Sequence, residues 1–195
     1  MSIKDDLLLE AAKKYHSLSN SKLIITLGKK GTTSEIVIDF KPSNFYHLAG
    51  LHKLKDIQVV RGRNTASVLN KVLKGKLTNA MIEESSFYKD MKERLEILSE
   101  FPDILKSDKI VWKFNKVRIS RWTKIPWDYL IDYGIGSNET YVFLKANKGN
   151  SNHCFCISAF RKTDDYTKMQ VRMTVLKVIL TDKTGEAKTI YQRNA

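Results

Sequence analysis

The hydrophobic pattern of this chain changes near residue 105, and that change limits the folds it can adopt. Before this point apolar residues recur at spacings of three and four, as in Leu8, Ala11, Ala12 and Tyr15, which is typical of amphipathic helices. After it, short alternating segments are separated by turn-forming clusters, which is typical of strands. Helices gathered before a run of strands favour an α+β fold with an antiparallel sheet.

The helical part, about residues 1–105, contains predicted helices and one predicted hairpin. The helices are expected at residues 4–18, 45–55, 64–73 and 84–98, and residues 101–103 should end this part. The hairpin pairs residues 22–27 with 34–40. The second part, about residues 109–182, should form a β-meander of strands at 109–119, 129–133, 140–146, 154–160 and 171–180. We therefore expect a single domain over residues 1–195, in which N-terminal and central helices pack on an antiparallel β-sheet.

The net charge of the chain is the feature that says most about its binding partner. The chain carries 34 Lys and Arg against 21 Asp and Glu, a formal net charge of +13. A fold does not need this excess, and a polyanion would relieve the self-repulsion by releasing counterions. RNA is the expected partner, and a general solubility charge is the alternative. A membrane surface is disfavoured, because no basic amphipathic helix with a bulky apolar face is evident.

No feature of the sequence predicts export or membrane insertion. No apolar run reaches the roughly 18 residues needed to cross a bilayer, and the charged N-terminus lacks the apolar core of a signal peptide. The two cysteines, Cys154 and Cys156, are one residue apart, and neighbours this close rarely form a structural bridge. We expect a soluble protein in a reducing cytoplasm.

Two histidines lie in the segment that is predicted to form one helix over residues 45–55. At about 100° per residue, His52 points into the middle of the apolar arc and His47 lies near its edge. The rings then diverge by about 140°, which argues against a close acid/base pair. His52 is either a core histidine or a functional one. His47 could act as general acid or base, since an imidazole titrates near neutrality, and Tyr46 and Lys53 lie beside it.

A second group of candidates lies on the predicted strand 154–160 and in the turn after it. Cys154, Cys156 and Ser158 should share one face, and buried thiols are expected there, because no second ligand pair at zinc spacing is present. Cations and hydroxyl donors crowd the turn, namely Arg161, Lys162, Thr163, Tyr166, Thr167 and Lys168. Such a turn could bind a phosphodiester and neutralise developing charge, or it could simply be solvated. The basic stretches 29–30 and 61–63 would extend a groove if they shared its face.

Several enzyme classes are disfavoured because their motifs are missing. The chain has no Walker loop, dinucleotide-binding glycine pattern, serine-hydrolase elbow, RNP signature or zinc finger. A nuclease with two metal ions would need a cluster of carboxylates, which the sequence does not suggest. Metal-free attack by the RNA 2′-hydroxyl remains, and it requires an acid, a base and cations. No cofactor or bound metal is therefore expected.

Three stretches resemble the signature of the fourth branch of the phage-Barnase-EndoU-Colicin-RelE-like (PBECR) nucleases. They are residues 45–54, 156–160 and 165–170, and the resemblance covers about residues 20–185. It implies a barnase/EndoU/colicin/RelE-like α+β fold and metal-independent RNA cleavage that leaves a 2′,3′-cyclic phosphate and a 5′-hydroxyl. Toxin, phage and mobile-element contexts are typical of the family. The chain departs from the pattern at Ala159, where an aromatic is expected, and at Met169, where glycine is expected.

The resulting hypothesis is a metal-independent endoribonuclease of toxin or phage type. Four residues are assigned to catalysis, partly through the resemblance: His47, His52, Lys53 and Tyr166. Four more are assigned to phosphate or RNA binding: Ser158, Arg161, Lys162 and Lys168. One alternative is a non-catalytic nucleic-acid-binding or inhibitor protein, for example a phage protein that blocks an RNA-guided nuclease. Another is a module whose basic surface binds an acidic antitoxin or immunity protein.

Overall fold

An early hairpin and the late strands share one sheet, although a helical segment separates them in the sequence. The computed structural model describes residues 6–60, 64–106, 110–115, 125–134 and 139–194. These residues fall into two compact units, each described by itself below. The helical unit contains the residues up to Ser19 together with Lys41–Asp103, and the barrel unit contains Asn20–Phe40 and the chain from Ile104 onward. The single domain expected over residues 1–195 stays a prediction.

The helices are mostly short. They are α1 (Leu7–Leu18), α2 (Asn44–Leu48), α3 (Ala66–Leu73), α4 (Asn79–Glu83) and α5 (Lys89–Lys106), with single 3-10 turns at Leu51–Lys53 and Gln58–Val60. The strands are β1 (Lys22–Lys29), β2 (Thr32–Asp39), β3 (Ile110–Lys113), β4 (Tyr129–Tyr133), β5 (Thr140–Asn147), β6 (Asn150–Arg161), β7 (Val171–Thr181) and β8 (Ala187–Gln192). The sequence pattern missed α4 and β8, and part of its predicted strand 109–119 lies outside the described residues.

The sheet closes into a seven-stranded mixed barrel. The strands follow the order β1-β2-β6-β5-β4-β3-β7, and β7 pairs back onto β1. The β2–β6 pair is parallel, with Val37 opposite His153 and Ile38 opposite Cys154, whereas the other neighbours are antiparallel. β8 adds to β7 outside this ring. The prediction of helices packed on an antiparallel sheet is therefore wrong.

Aliphatic side chains and a thiol share one buried face of the barrel. Leu23 pairs with Ile38 and Ile38 with Cys154, and partners across a ladder point to the same face. All three are fully buried. Burial raises the pKa of Cys154 to about 12, so this thiol stays protonated. The prediction of buried thiols in a core strand is confirmed.

A tyrosine on α1 holds the start of α2 in the helical unit. The Tyr15 hydroxyl donates a hydrogen bond to the Lys41 carbonyl at 2.9 Å, and its ring packs 5.7 Å from that of Phe45. Both rings are buried. At the start of α1 the Asp6 carboxylate caps the helix by accepting from the Leu9 N–H at 2.8 Å, and it also accepts from the Asn79 N–H at 3.1 Å. These bonds fix α1, α2 and α4 against one another.

The longest helix continues through a proline. The sequence pattern placed the end of the helical part at residues 101–103, but α5 runs to Lys106 with Pro102 inside it. Proline removes one hydrogen-bond donor from a helix. The burial of Phe101 and Ile104 on either side of it offsets that loss. Among the described residues no helix has both the length and the apolar character that a membrane span requires.

The turn before β7 carries a strained residue. Met169 has φ of 64°, a left-handed conformation that costs a residue with a Cβ about 1 kcal/mol relative to glycine. The turn is closed by a hydrogen bond from the Gln170 N–H to the Thr167 carbonyl at 3.0 Å. The Met169 side chain is 60% exposed, so it contributes little packing in return.

We expect Met169→Gly to raise the free energy of unfolding by about 0.5–1 kcal/mol, because it removes the left-handed strain. Urea denaturation of the full chain measures this change. Met169→Ala is the control, since alanine keeps the Cβ and loses the same exposed side chain. Equal stabilities of the glycine and alanine variants would contradict the strain.

Candidate functional site

A glycine interrupts the segment that carries both candidate histidines. α2 ends at Leu48, and Gly50 has φ of 75°, in the left-handed region. Its N–H donates to the His47 carbonyl at 3.1 Å, and the next turn is a 3-10 turn in which Lys53 N–H donates to the Gly50 carbonyl at 2.9 Å. The predicted continuous helix over residues 45–55 is therefore wrong. The angle between the two histidine side chains therefore differs from the one that a continuous helix would give.

The break brings the two imidazoles together. The ring centroids of His47 and His52 are 5.2 Å apart, whereas one straight helix would have turned them away from each other. Both side chains are exposed, so of the two alternatives for His52 the core histidine is excluded. The apolar residues of the segment are buried as predicted, for example Phe45, Leu48 and Leu51.

Tyr46 completes a group of three rings. Its ring centroid lies 5.2 Å from that of His47 and 6.3 Å from that of His52. A hydrogen bond with the Tyr46 backbone favours the charged form of the His52 ring. Partial burial raises the pKa of the Tyr46 phenol, so this group stays neutral. The rings thus have a defined arrangement at the protein surface.

Two cations lie beside these rings, and one of them has no counterpart among the sequence candidates. Lys53 follows His52, and Arg94 on α5 packs under Gly50, where an added Cβ would lie 2.9 Å from the Arg94 Cδ. Burial and Arg94 together lower the pKa of Lys53, although Asp90 and Glu93 act in the opposite direction. Burial also lowers the pKa of Arg94. We call Tyr46, His47, His52, Lys53 and Arg94 the histidine cluster.

The sequence feature that could have drawn attention to Arg94 is its position on a helix. It lies three residues after Met91 and four before Leu98, next to Leu95, and those three are fully buried. A charged residue beside an apolar stripe at this spacing is partly covered. The sequence could not show which surface α5 covers.

The environment of His52 keeps its ring neutral. Although the side chain is exposed, the protein around the ring partly desolvates it, and this effect, followed by the positive charges of His47, Arg94 and Lys53, lowers its pKa from an ordinary 6.5 to about 4. The hydrogen bond to Tyr46 opposes this shift. Charge on His47 disfavours charge on His52. A histidine that is kept neutral in this way suits the role of a general base.

The other predicted site residues lie in the barrel unit, and their surroundings differ. Tyr166 packs edge-on against Phe143 at 5.1 Å and lies 5.7 Å from Phe160, and burial raises its pKa. The Arg161 guanidinium donates to the Thr140 hydroxyl at 2.9 Å. Lys168 is exposed.

Lys162 is engaged by acids. Its ammonium lies 3.2 Å from Glu139 and 3.8 Å from Asp132, and 5.3 Å above the Tyr141 ring centroid. The Tyr141 ring is in turn 5.8 Å from Tyr166, so Lys162 and Tyr166 both contact it. Hydrogen bonding to Glu139 and the charge of Asp132 outweigh burial and raise the pKa of Lys162.

A bulge in β6 changes the face of Ser158. Ser158 pairs with Phe143, whereas Cys156 pairs with the next residue, Leu144. Because paired residues share a face, Ser158 lies with Phe143 and Cys156 lies on the opposite side. The prediction that the thiols and Ser158 share one face is wrong for Ser158. The extra residue at Ile157 breaks the alternation, as bulges do.

Two basic stretches, residues 29–30 and 61–63, would extend a binding groove if they shared its face. Lys29 and Lys30 lie at the tip of the β1–β2 hairpin and are exposed. Residues 61–63 lie outside the described residues. Across the described part of the chain, no three His, Cys, Asp or Glu side chains are grouped in a way that could hold a metal ion.

A comparison with protein families identifies a match over most of the chain. The model of a family described as phage-Barnase-EndoU-ColicinE5/D-RelE like nuclease 4 (PBECR4) matches residues 7–194. No curated protein and no solved structure matches the chain. The match includes the histidine cluster and the candidates of the barrel unit. The resemblance that rested on three short stretches is confirmed.

We expect Gly50→Ala to lower the free energy of unfolding by about 2–4 kcal/mol, because it adds overpacking against Arg94 to the left-handed strain. Gly75→Ala is the matched control. Gly75 has φ of 67° in the same unit, and no heavy atom lies within 4 Å of an added Cβ. That variant should lose only about 1 kcal/mol. Equal losses in urea denaturation would contradict the close packing at Gly50.

Proposed function

Since this chain belongs to the PBECR4 nuclease family, we propose that it is an endoribonuclease that cleaves RNA without a metal ion. The observation that carries this proposal is the pair of exposed imidazoles, with ring centroids 5.2 Å apart, beside Lys53 and Arg94. Attack by a 2′-hydroxyl needs a base for that hydroxyl, an acid for the leaving oxygen and cations for the phosphate. The histidine cluster contains all of these groups.

The two histidines divide the proton transfers. His52, kept neutral by its surroundings, takes the proton from the 2′-hydroxyl as that oxygen attacks the neighbouring phosphorus. His47 donates a proton to the 5′-oxygen as the P–O bond breaks. The products are a 2′,3′-cyclic phosphate and a 5′-hydroxyl. Later transfer of the proton from His52 to His47 restores the starting state.

The spacing of the rings limits where the phosphate can lie. Two hydrogen bonds of about 2.8 Å each would already exceed the 5.2 Å between the ring centroids. A phosphate therefore does not fit between the rings and has to lie across their exposed edges. Lys53 and Arg94 stabilise the negative charge that builds up on its oxygens.

The same cations support a metal-free reaction. A divalent ion beside Lys53 and Arg94 would be repelled by both charges, and imidazoles provide the proton transfers that metal-bound water provides elsewhere. The roles of Tyr166, Ser158, Arg161 and Lys168 stay predictions. RNA as substrate and a toxin or phage setting belong to this proposal as well.

Replacing either histidine of the cluster is expected to lower the rate of RNA cleavage. We expect His47→Ala and His52→Gln each to reduce kcat by about 10²–10⁴, the usual contribution of a general acid or base. Gel analysis of a labelled RNA in EDTA measures the rate and identifies the product ends. His16→Ala, which removes an exposed histidine from α1, should cleave at the wild-type rate.

Two outcomes would contradict the mechanism. One is wild-type cleavage that stops in EDTA, and the other is full activity of His47→Ala. Tight RNA binding without any wild-type cleavage would favour the non-catalytic binder instead. Salt-dependent binding by His47→Ala identifies that case.

The acid limb of the pH profile reports on His52. Because the pKa of His52 is lowered to about 4, its base form persists through pH 5–6 and cleavage should fall only as pH drops through about 4. Lys53→Gln removes one of the charges that lower this pKa, so its acid limb should move to higher pH. Profiles of kcat/KM from pH 3.5 to 7 measure both. An acid limb that does not move in Lys53→Gln would contradict the assignment of His52 as base.

A further inference from the structure

The barrel unit contains a cleft at the point where β7 changes its neighbour. β3 covers β7 as far as Thr174, which pairs with Ile110, and β8 covers it again from Lys177. In the gap, the Arg193 N–H donates to the Leu176 carbonyl at 2.9 Å. A cleft of about 490 Å³ opens beside these residues. Clefts of about 300–1,000 Å³ bind small organic ligands.

Acidic and basic side chains both line the cleft, and they differ in whether they form ion pairs. Asp132, Glu139, Lys162, Arg172 and Arg193 all line it. Lys162 lies between the two carboxylates at 3.8 and 3.2 Å, so it offsets one of their two negative charges. Within the described part of the chain, the guanidinium groups of Arg172 and Arg193 form no ion pair and no side-chain hydrogen bond. Both are exposed and can accept an anion.

The carboxylate side offers acceptors for neutral donors. Burial raises the pKa of Asp132, although the Trp112 ring N–H donates to it at 3.2 Å. Lys162 neutralises part of the charge of Asp132 and Glu139, which leaves oxygens that can accept hydrogen bonds from hydroxyl or amino groups. Thr174 adds a hydroxyl at the cleft. A ligand that fits this cleft therefore has an anionic end and a polar, neutral end.

We propose that this cleft binds one nucleoside phosphate unit. Arg172 and Arg193 contact its phosphate, since guanidinium groups bind phosphate oxygens in pairs. Glu139 and Asp132 accept hydrogen bonds from the ribose hydroxyls or from an amino group of the base. The unit is either one nucleotide of an RNA chain or a free mononucleotide. The first case rests on the proposed function, and there the cleft contributes to substrate affinity.

Binding measurements test the cleft without relying on cleavage. A fluorescent single-stranded RNA of 12 nucleotides is titrated with full-length His47→Ala protein, alone and with Arg172→Gln or Arg193→Gln added. Each arginine change is expected to weaken binding about tenfold, the usual effect of losing a charged hydrogen bond. It should also reduce the slope of log K against log salt by about 0.7, the contribution of one phosphate contact on a single strand. Thermal melting confirms that each variant is folded.

Lys188→Gln is the matched control, because it removes one exposed positive charge from β8 that does not line the cleft. It should change affinity by less than twofold. Wild-type affinity in both arginine variants would overturn the proposal. Equal losses in all three variants would overturn it as well, since the effect would then be general basicity.

A second arm distinguishes the source of the nucleotide. Each 5′-mononucleotide is added as a competitor, and its own affinity is measured by calorimetry. Arginine-dependent binding of a mononucleotide assigns the cleft to a free nucleotide, and arginine-dependent binding of RNA alone assigns it to the substrate. If the protein with both arginines intact binds neither the RNA nor a mononucleotide, the proposal is overturned.

Cleavage assays separate this inference from the proposed function. If wild type cleaves and the arginine variants keep their RNA affinity, the cleft assignment is wrong and the nuclease assignment stands. If wild type does not cleave but RNA binding depends on the arginines, the nuclease assignment is wrong and the cleft assignment stands. When both hold, the arginine variants should show a raised KM at an unchanged kcat.

Discussion

The histidine cluster depends on the left-handed backbone at Gly50. This residue has φ of 75° and no room for a Cβ beside Arg94, so the helix ends and the chain restarts as a 3-10 turn. The two imidazoles then lie next to each other instead of on different sides of one cylinder. The same close approach holds Arg94 under the turn. One backbone angle thus determines both the pairing of His47 with His52 and the position of a cation beneath them.

The charges of the cluster work against one another, and this favours an anionic partner. His52 and Lys53 have lowered pKa values because burial and neighbouring cations oppose their charged forms, and burial alone lowers the pKa of Arg94. Such repulsion costs folding free energy at the place where it occurs. A phosphate at the rim would offset it and would raise the proton affinity of His52 at the same time. Substrate binding and proton transfer are therefore coupled through the same electrostatic field.

The sequence predicts the local elements well and their assembly poorly. The strand predicted at residues 129–133 is β4 as observed, because alternation is a property of neighbouring residues. The parallel pairing of β2 with β6 joins residues more than 100 positions apart, and no local pattern encodes it. Closure of the barrel follows from that pairing and from β1 with β7. In the cluster, Phe45 and Leu48 were correctly predicted to be buried. The direction of the His52 side chain was predicted wrongly, because the helix ends near Gly50, and a single glycine can also occur inside a continuous helix.

The net charge of a chain indicates the kind of partner that it binds, but not the place where the partner binds. The +13 of the whole chain predicts a polyanionic partner, but it does not say which cations are available to contact one. Lys162, which composition placed among the phosphate ligands, is held by Glu139 and Asp132, and a phosphate would have to compete with both. Among the described residues Arg172 and Arg193 have no such ion pair, and no sequence motif singled them out. The state of pairing of each cation, which depends on tertiary contacts, therefore decides where an anion can bind.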